Sequence, residues 1–191
     1  KSLFFTEKGK VYWLKGYLIP EGSKTSKGKP IVNLLKIDEG EKITATIPVK
    51  EFTTDKYLVM ITKNGLVKKT PLIAYSKPRK GGIIGISLRE GDKLIDVKVT
   101  DGNKDILLAT RNGFSIRFNE KEVRAVGRGS IGVVGIRFKR KDDEVVAGET
   151  FSENDTDVSI LTITSNGYGK RTLINHYRKQ RRGGKGIINI K

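Results

Sequence analysis

Cysteine is absent from the 191 residues, and methionine, tryptophan and histidine occur once each. Without cysteine there is no disulfide framework, no cysteine-ligated zinc and no thiol nucleophile. The single histidine, His176, leaves little for acid/base chemistry and excludes most histidine-based metal sites, so no metal site is expected. No run of about 18 apolar residues occurs, and no membrane span is expected; no signal or transit-peptide pattern is present. The chain opens Lys1-Ser2-Leu3-Phe4-Phe5, without an initiator methionine and already strand-like, as expected of a piece cut from something longer. Negative charge is also scarce: 21 Asp+Glu stand against 38 Lys+Arg, leaving +17. With 36% hydrophobic and 31% charged residues the chain can build a core and is too mixed to be disordered. The expectation is a cytoplasmic protein with a polyanionic partner, nucleic acid first and acidic membrane second.

What the chain does have is one pattern four times over. An apolar β-branched run, a polar-Gly turn and a basic/apolar run recur from Leu3 to Lys15, Leu58 to Thr70, Leu107 to Phe118 and Ile160 to Thr172. Asn-Gly between strand-like runs signals a hairpin, here expected to turn as type I′. A second shared strand is expected at Ile31 to Leu34, Ile83 to Ile86, Val133 to Ile136 and Ile187 to Ile190. Acidic turns at Asp38 to Glu41, Glu90 to Asp92 and Lys141 to Glu144 precede fourth strands at Ile43 to Pro48, Leu94 to Val99 and Val145 to Phe151. The pieces 16–22, 72–77, 119–126 and 173–179 can hold one helical turn each. The fold expected is all-β, a propeller-like stack of four-stranded blades in repeats of roughly 1–56, 57–104, 105–157 and an incomplete 158–191. Either it is part of a larger ring, or strands from its two ends complete one another.

Charge is phased to the repeat. Lys63 through Arg89 holds seven basic residues and no acid, and Tyr168 through Lys191 holds eight and no acid. Equivalent loops of stacked blades fall on one side, so the basic loops should form a stripe, with glycines letting backbone N–H groups approach phosphate oxygens. The acids are expected in solvated turns away from it, which argues against a metal-dependent nuclease. Gly127 to Gly132 fits Gly-x-Gly-x-x-Gly, but a β-branched strand follows instead of a helix, so no dinucleotide site is expected. His176 reads as a loop or packing residue, and at least one of Tyr12 and Trp13 as core.

The heptapeptide Gln180-Arg181-Arg182-Gly183-Gly184-Lys185-Gly186 resembles the box that marks the C-terminal domains of DNA gyrase A subunits. Gly9 to Lys15, Gly28 to Leu35, Asn64 to Thr70, Val123 to Gly127 and Asn166 to Thr172 are similar to repeats of the same family, so the resemblance covers the whole chain. It implies a β-pinwheel whose blades exchange strands and whose basic rim wraps double-stranded DNA. The domain would itself be non-catalytic and without a cofactor. It would serve an A2B2 gyrase holoenzyme, with gyrase B, whose active-site residues, ATP and Mg lie elsewhere. The resemblance places the densest DNA contact at Arg181, Arg182 and Lys185 within the box. Arg79 with Lys80, Lys27 with Lys29, and Arg128 are expected as successive supports, joined by Lys68, Lys69, Lys170, Arg171, Arg178 and Lys179. In the family the box usually marks the first blade, whereas here it lies in the last repeat. The equivalent domain of topoisomerase IV, whose repeats are related but typically lack the box, and a non-wrapping nucleic-acid-binding β-repeat are the alternatives.

Overall fold

The computed structural model describes residues 1–77 and 79–191. The first repeat forms β1 (Ser2–Thr6), β2 (Lys10–Leu14) and β3 (Ile43–Pro48), and the second β4 (Tyr57–Thr62), β5 (Leu66–Pro71), β6 (Ile83–Ile84) and β7 (Leu94–Thr100). The third forms β8 (Asp105–Thr110), β9 (Phe114–Asn119), β10 (Val133–Val134) and β11 (Val145–Phe151), and the fourth β12 (Ser159–Ile163), β13 (Gly169–Leu173) and β14 (Ile187–Ile188). Short 3-10 turns occupy the expected helical pieces, at Gly16–Leu18, Leu72–Tyr75, Glu120–Glu122 and Ile174–His176. Among the described residues no helix is long and apolar enough to cross a membrane.

Strand exchange joins the repeats. The sheets run β3-β1-β2-β6, β7-β4-β5-β10 and β11-β8-β9-β14, so each two-residue strand completes the sheet of the preceding repeat. The registers repeat: Val11 faces Ile83, Val67 faces Val133 and Ser115 faces Ile187. The fourth sheet holds only β12 and β13 among the described residues. Ile31 to Leu34, expected as a strand, is instead a 3-10 turn over Ile31–Asn33. Its neighbours explain why: Ile31, Leu34, Leu35 and Ile37 pack on Phe4, Tyr12 and Leu14, covering the outer face of the first sheet. This segment does not complete the sheet of β12 and β13, so the ends do not close on one another.

Packing accounts for the apolar runs. Leu58 and Met60 of β4 join Leu3, Phe5, Tyr75 and Leu94 in a core between the first two sheets. Val59 and Ile61, pointing the other way, join Ile106, Leu108, Phe118 and Val145 in the next. A strand buried on both faces reads as a continuous apolar run rather than an alternating one. Tyr12 is buried and Trp13 half-buried, stacked on Phe52 with centroids 5.9 Å apart.

The hairpin turns differ from the type I′ expectation. Gly65 N–H donates to Thr62 O at 3.0 Å, and Gly9, Gly113 and Gly167 repeat the bond to Thr6, Thr110 and Thr164. Among the described residues only glycines have positive φ, between 80° and 85° at these four positions. Asn64 and Asn112 therefore stay at negative φ, and the loops are three-residue type I turns closed by a left-handed glycine bulge. The acidic turns also depart from expectation: Glu41, Asp92 and Asp143 are buried instead of solvated. Asp92 accepts from Asn64 N–H and Asp143 from Asn112 N–H, each at 2.9 Å, while Glu41 accepts from the Thr6 hydroxyl. One buried carboxylate in each of the first three repeats thus accepts from a hairpin-turn donor.

Candidate nucleic-acid interface

β7 packs against both β3 and β11, so these strands lie along the edge where successive sheets converge. The opposite edge carries β6, β10 and β14 together with the loops that lead into them. Loops 79–82, 127–132 and 180–186 therefore recur along the outer rim, each seated on the repeat before it. Arg79 and Arg128, 49 positions apart in sequence, border one rim cleft of about 350 Å³ with Gly82, Ile83, Ile84 and Gly129. Arg79, Lys80, Arg178, Arg181 and Lys185 are exposed, their side chains making no hydrogen bond or ion pair to a described residue. Lys27 and Lys29 are exposed too, but their loop leads into the 3-10 turn and not into an exchanged strand.

Several residues expected on the DNA surface have other work. Lys68 is fully buried, its amine donating to Gly85 O at 2.6 Å and to Arg128 O. Lys69 is buried beside it, donating to Glu120 O at 2.8 Å with its amine 5.3 Å from the Tyr57 ring centre. β5 is covered on both faces, so these two side chains bury their stems and tie the second repeat to the third; neither can reach a phosphate. The equivalent residue of β9, Arg117, donates to Asp105 at 2.9 Å and also to Ile174 O and Tyr177 O of the fourth repeat. Lys179 is held by Asp105 at 3.2 Å and by Glu153, whose hydrogen bond raises its pKa against the opposing effect of burial. Lys170 and Arg171 are exposed along β13, where with His176 they border a separate cleft of about 460 Å³. His176 ends a 3-10 turn and is exposed.

The box glycines are set by packing. Gly186 has φ +68°, and a Cβ there would sit 2.4 Å from Ser115 O; the equivalent Gly132 would place one 2.8 Å from Val67 O. Gly183 is buried, with φ +79°. These glycines let the rim loops lie directly on the preceding strand. Gly28, Gly81 and Gly129 have open space around them. Arg137, which sequence reasoning passed over, donates to Gly183 O and is exposed on the same rim. Its signal was positional: it follows the exchanged strand as Ser87 does one repeat earlier, where Ser87 donates to Gly129 O at 2.8 Å.

Burial holds the Lys68 amine down to about 7, with Arg128 adding repulsion. The unfolded group titrates near 10.5, so between about pH 7 and 10.5 the unfolded chain binds more protons and wild-type stability rises with pH. Methionine at 68 lacks this dependence. Denaturation of both proteins from pH 7 to 9.5 should therefore show the wild type gaining on Lys68→Met as pH rises; a constant difference would show the amine to be titrating normally.

The fold and rim define a class: propeller-like β-repeats that exchange strands and carry exposed cations on one outer edge. The chain belongs to the family described as DNA gyrase C-terminal domain, beta-propeller, which it matches over residues 3–50, 56–101, 104–152 and 159–191. It is 51% identical to the DNA gyrase A subunit of Haloquadratum walsbyi over 99% of its own length and 22% of that protein's. For the Staphylococcus aureus counterpart the figures stand at 47%, 97% and 21%. The chain thus spans about a fifth of these relatives. Among solved structures it resembles the C-terminal domain of DNA topoisomerase IV (TM-score 0.89, 32% identity, 98% of this chain and 57% of that one). It also resembles the DNA gyrase A C-terminal domain, with TM-score 0.80, 24% identity, and coverage of 97% of this chain and 58% of that one.

Proposed function

We propose that the chain binds and wraps double-stranded DNA along its rim without catalysing a reaction. In doing so it would serve a cytoplasmic gyrase in which ATP and Mg are used elsewhere and gyrase A works with gyrase B as A2B2. Wrapping in a positive sense presents a neighbouring DNA segment for strand passage, so that the ATP-driven enzyme introduces negative supercoils. The observation that carries this reading is that exposed cations without a partner among the described residues stand on more than one rim loop of the stack, Arg79 and Lys80 on one and Arg181 and Lys185 on another. Bending 20 to 30 bp by 40 to 90° costs roughly 1–6 kcal/mol, so contacts must recur along the path, and the repeat provides the recurrence. Phosphate contacts carry no sequence information, so different sequences should bind alike. The gyrase family match and the identity of up to 51% to curated gyrase A subunits, together with the box, favour a gyrase role over the topoisomerase IV alternative.

A duplex of about one persistence length, carrying dyes at both ends, tests this. The chain should bring the ends together, with log affinity falling against log salt by about 0.9 per phosphate engaged. Binding with unchanged end-to-end distance would favour the non-wrapping alternative.

A further inference from the structure

Glu122 is the unexpected residue on this rim: an exposed carboxylate placed directly beneath the box. It accepts from Arg182 N–H at 2.9 Å through Oε2, while its backbone oxygen accepts from Arg182 Nε at 3.2 Å. The same guanidinium donates to Val134 O, on the exchanged strand of the preceding repeat, at 2.6 Å. Gln180 N–H donates to Arg117 O at 2.8 Å and Gly183 N–H to Gly135 O at 2.7 Å, while Gly184 O accepts from Arg137 N–H at 2.9 Å. Every one of these partners belongs to the third repeat. One repeat earlier, Arg128 makes the corresponding reach to Ile84 O, at 3.4 Å and with no carboxylate partner among the described residues.

We infer that Arg182 and Glu122 are a positioning pair: they clip the box turn to the preceding repeat and so aim Arg181 and Lys185 outward at DNA. This rests on the rim reading, with one box arginine reassigned from phosphate contact to scaffold. Arg182 differs from its neighbours as the clip requires, being half-buried with Nε and one terminal nitrogen occupied, whereas Arg181 and Lys185 are exposed and unpaired among the described residues. A carboxylate on a surface that attracts phosphates is electrostatically unfavourable to DNA, and its hold on the turn is what it gives in return.

Charge and scaffold therefore make opposite forecasts for one substitution. If Glu122 acts only through charge, Glu122→Ala removes a repulsion and DNA bends at least as much. The clip requires the reverse: Glu122→Ala bends the end-labelled duplex less than wild type despite its more positive rim. Glu122→Gln, which keeps an acceptor for Arg182 N–H and also lacks the charge, restores bending. Hydrogen exchange on DNA-free protein reads the clip independently of any wrapping. The amides of Arg182 and Gly183 should exchange about tenfold faster in Glu122→Ala than in wild type, the factor for losing one hydrogen bond to a charged acceptor, with Glu122→Gln close to wild type. Unchanged exchange, or undiminished bending in Glu122→Ala, overturns the inference. Faster exchange in Glu122→Ala alone, in a wild-type protein that does not bend DNA, would uphold the clip and overturn the wrapping function instead.

Discussion

Replacing Arg181 and Lys185 together by alanine is expected to remove most of the bend that the chain imposes on DNA while leaving its folding unchanged. Both side chains are exposed and make no hydrogen bond or ion pair with a described residue, so truncation exposes no unpaired partner and creates no cavity. Each lost phosphate contact should lower the slope of log affinity against log salt by about 0.9, so the pair should lower it by about 2. The same physics makes each contact responsible for roughly a threefold loss of affinity between 50 and 200 mM salt, and the double variant should become correspondingly less salt-sensitive. Neutralising Lys68 and Lys69 serves as the contrast. Their amines are turned inward onto backbone carbonyls, so their loss should lower stability and leave the salt slope alone. A salt slope that falls for the interior lysines and not for Arg181 and Lys185 would place the DNA surface elsewhere.

Asp105→Ala is expected to be the most damaging single substitution to stability. Asp105 is fully buried and receives Arg117 through two nitrogens, at 2.9 and 2.8 Å, together with Asn119 at 2.9 Å and Lys179 at 3.2 Å. Removing it strands a guanidinium that is itself buried and stacked over Phe151 at 4.8 Å. Breaking one side of such a pair costs about 3–5 kcal/mol. Because Arg117 also donates to Ile174 O and Tyr177 O, the loss should reach the fourth repeat and the box that it carries. Chemical denaturation should show the destabilisation, and an Asp105→Ala, Arg117→Met double variant should recover part of it by removing the stranded charge. A double variant as unstable as the single one would show that the cost lies in lost packing.

The repeat was legible because burial on both faces leaves a plain mark. Leu58-Val59-Met60-Ile61 is apolar throughout since adjacent sheets cover both sides of β4. The fourth strands were placed nearly to the residue because acidic turns and β-branched runs bound them. Strand exchange was not legible from Ile83 or Val133 themselves; it came only from the family resemblance, because a two-residue strand looks the same whichever sheet it joins. The site was read less well than the fold. A basic run marks charge without saying which amine points outward, and Lys68-Lys69 sits in the same kind of run as Arg79-Lys80. Partners distant in sequence decide the difference: Gly85, Arg128 and Glu120 supply acceptors for one pair, and among the described residues nothing does for the other. The carboxylates of Asp92 and Asp143 were misread for a related reason, since their partners are turn amides 28 and 31 residues away.

The central claim is that the rim imposes a path on DNA and does more than attract it. Relaxed circular DNA incubated with the chain, treated with a relaxing topoisomerase and then stripped of protein, reads that path directly. A linking-number shift of positive sign, growing with the ratio of protein to DNA and disappearing in the Arg181→Ala, Lys185→Ala variant, is expected. Full occupancy of the DNA with no change in linking number would contradict the account.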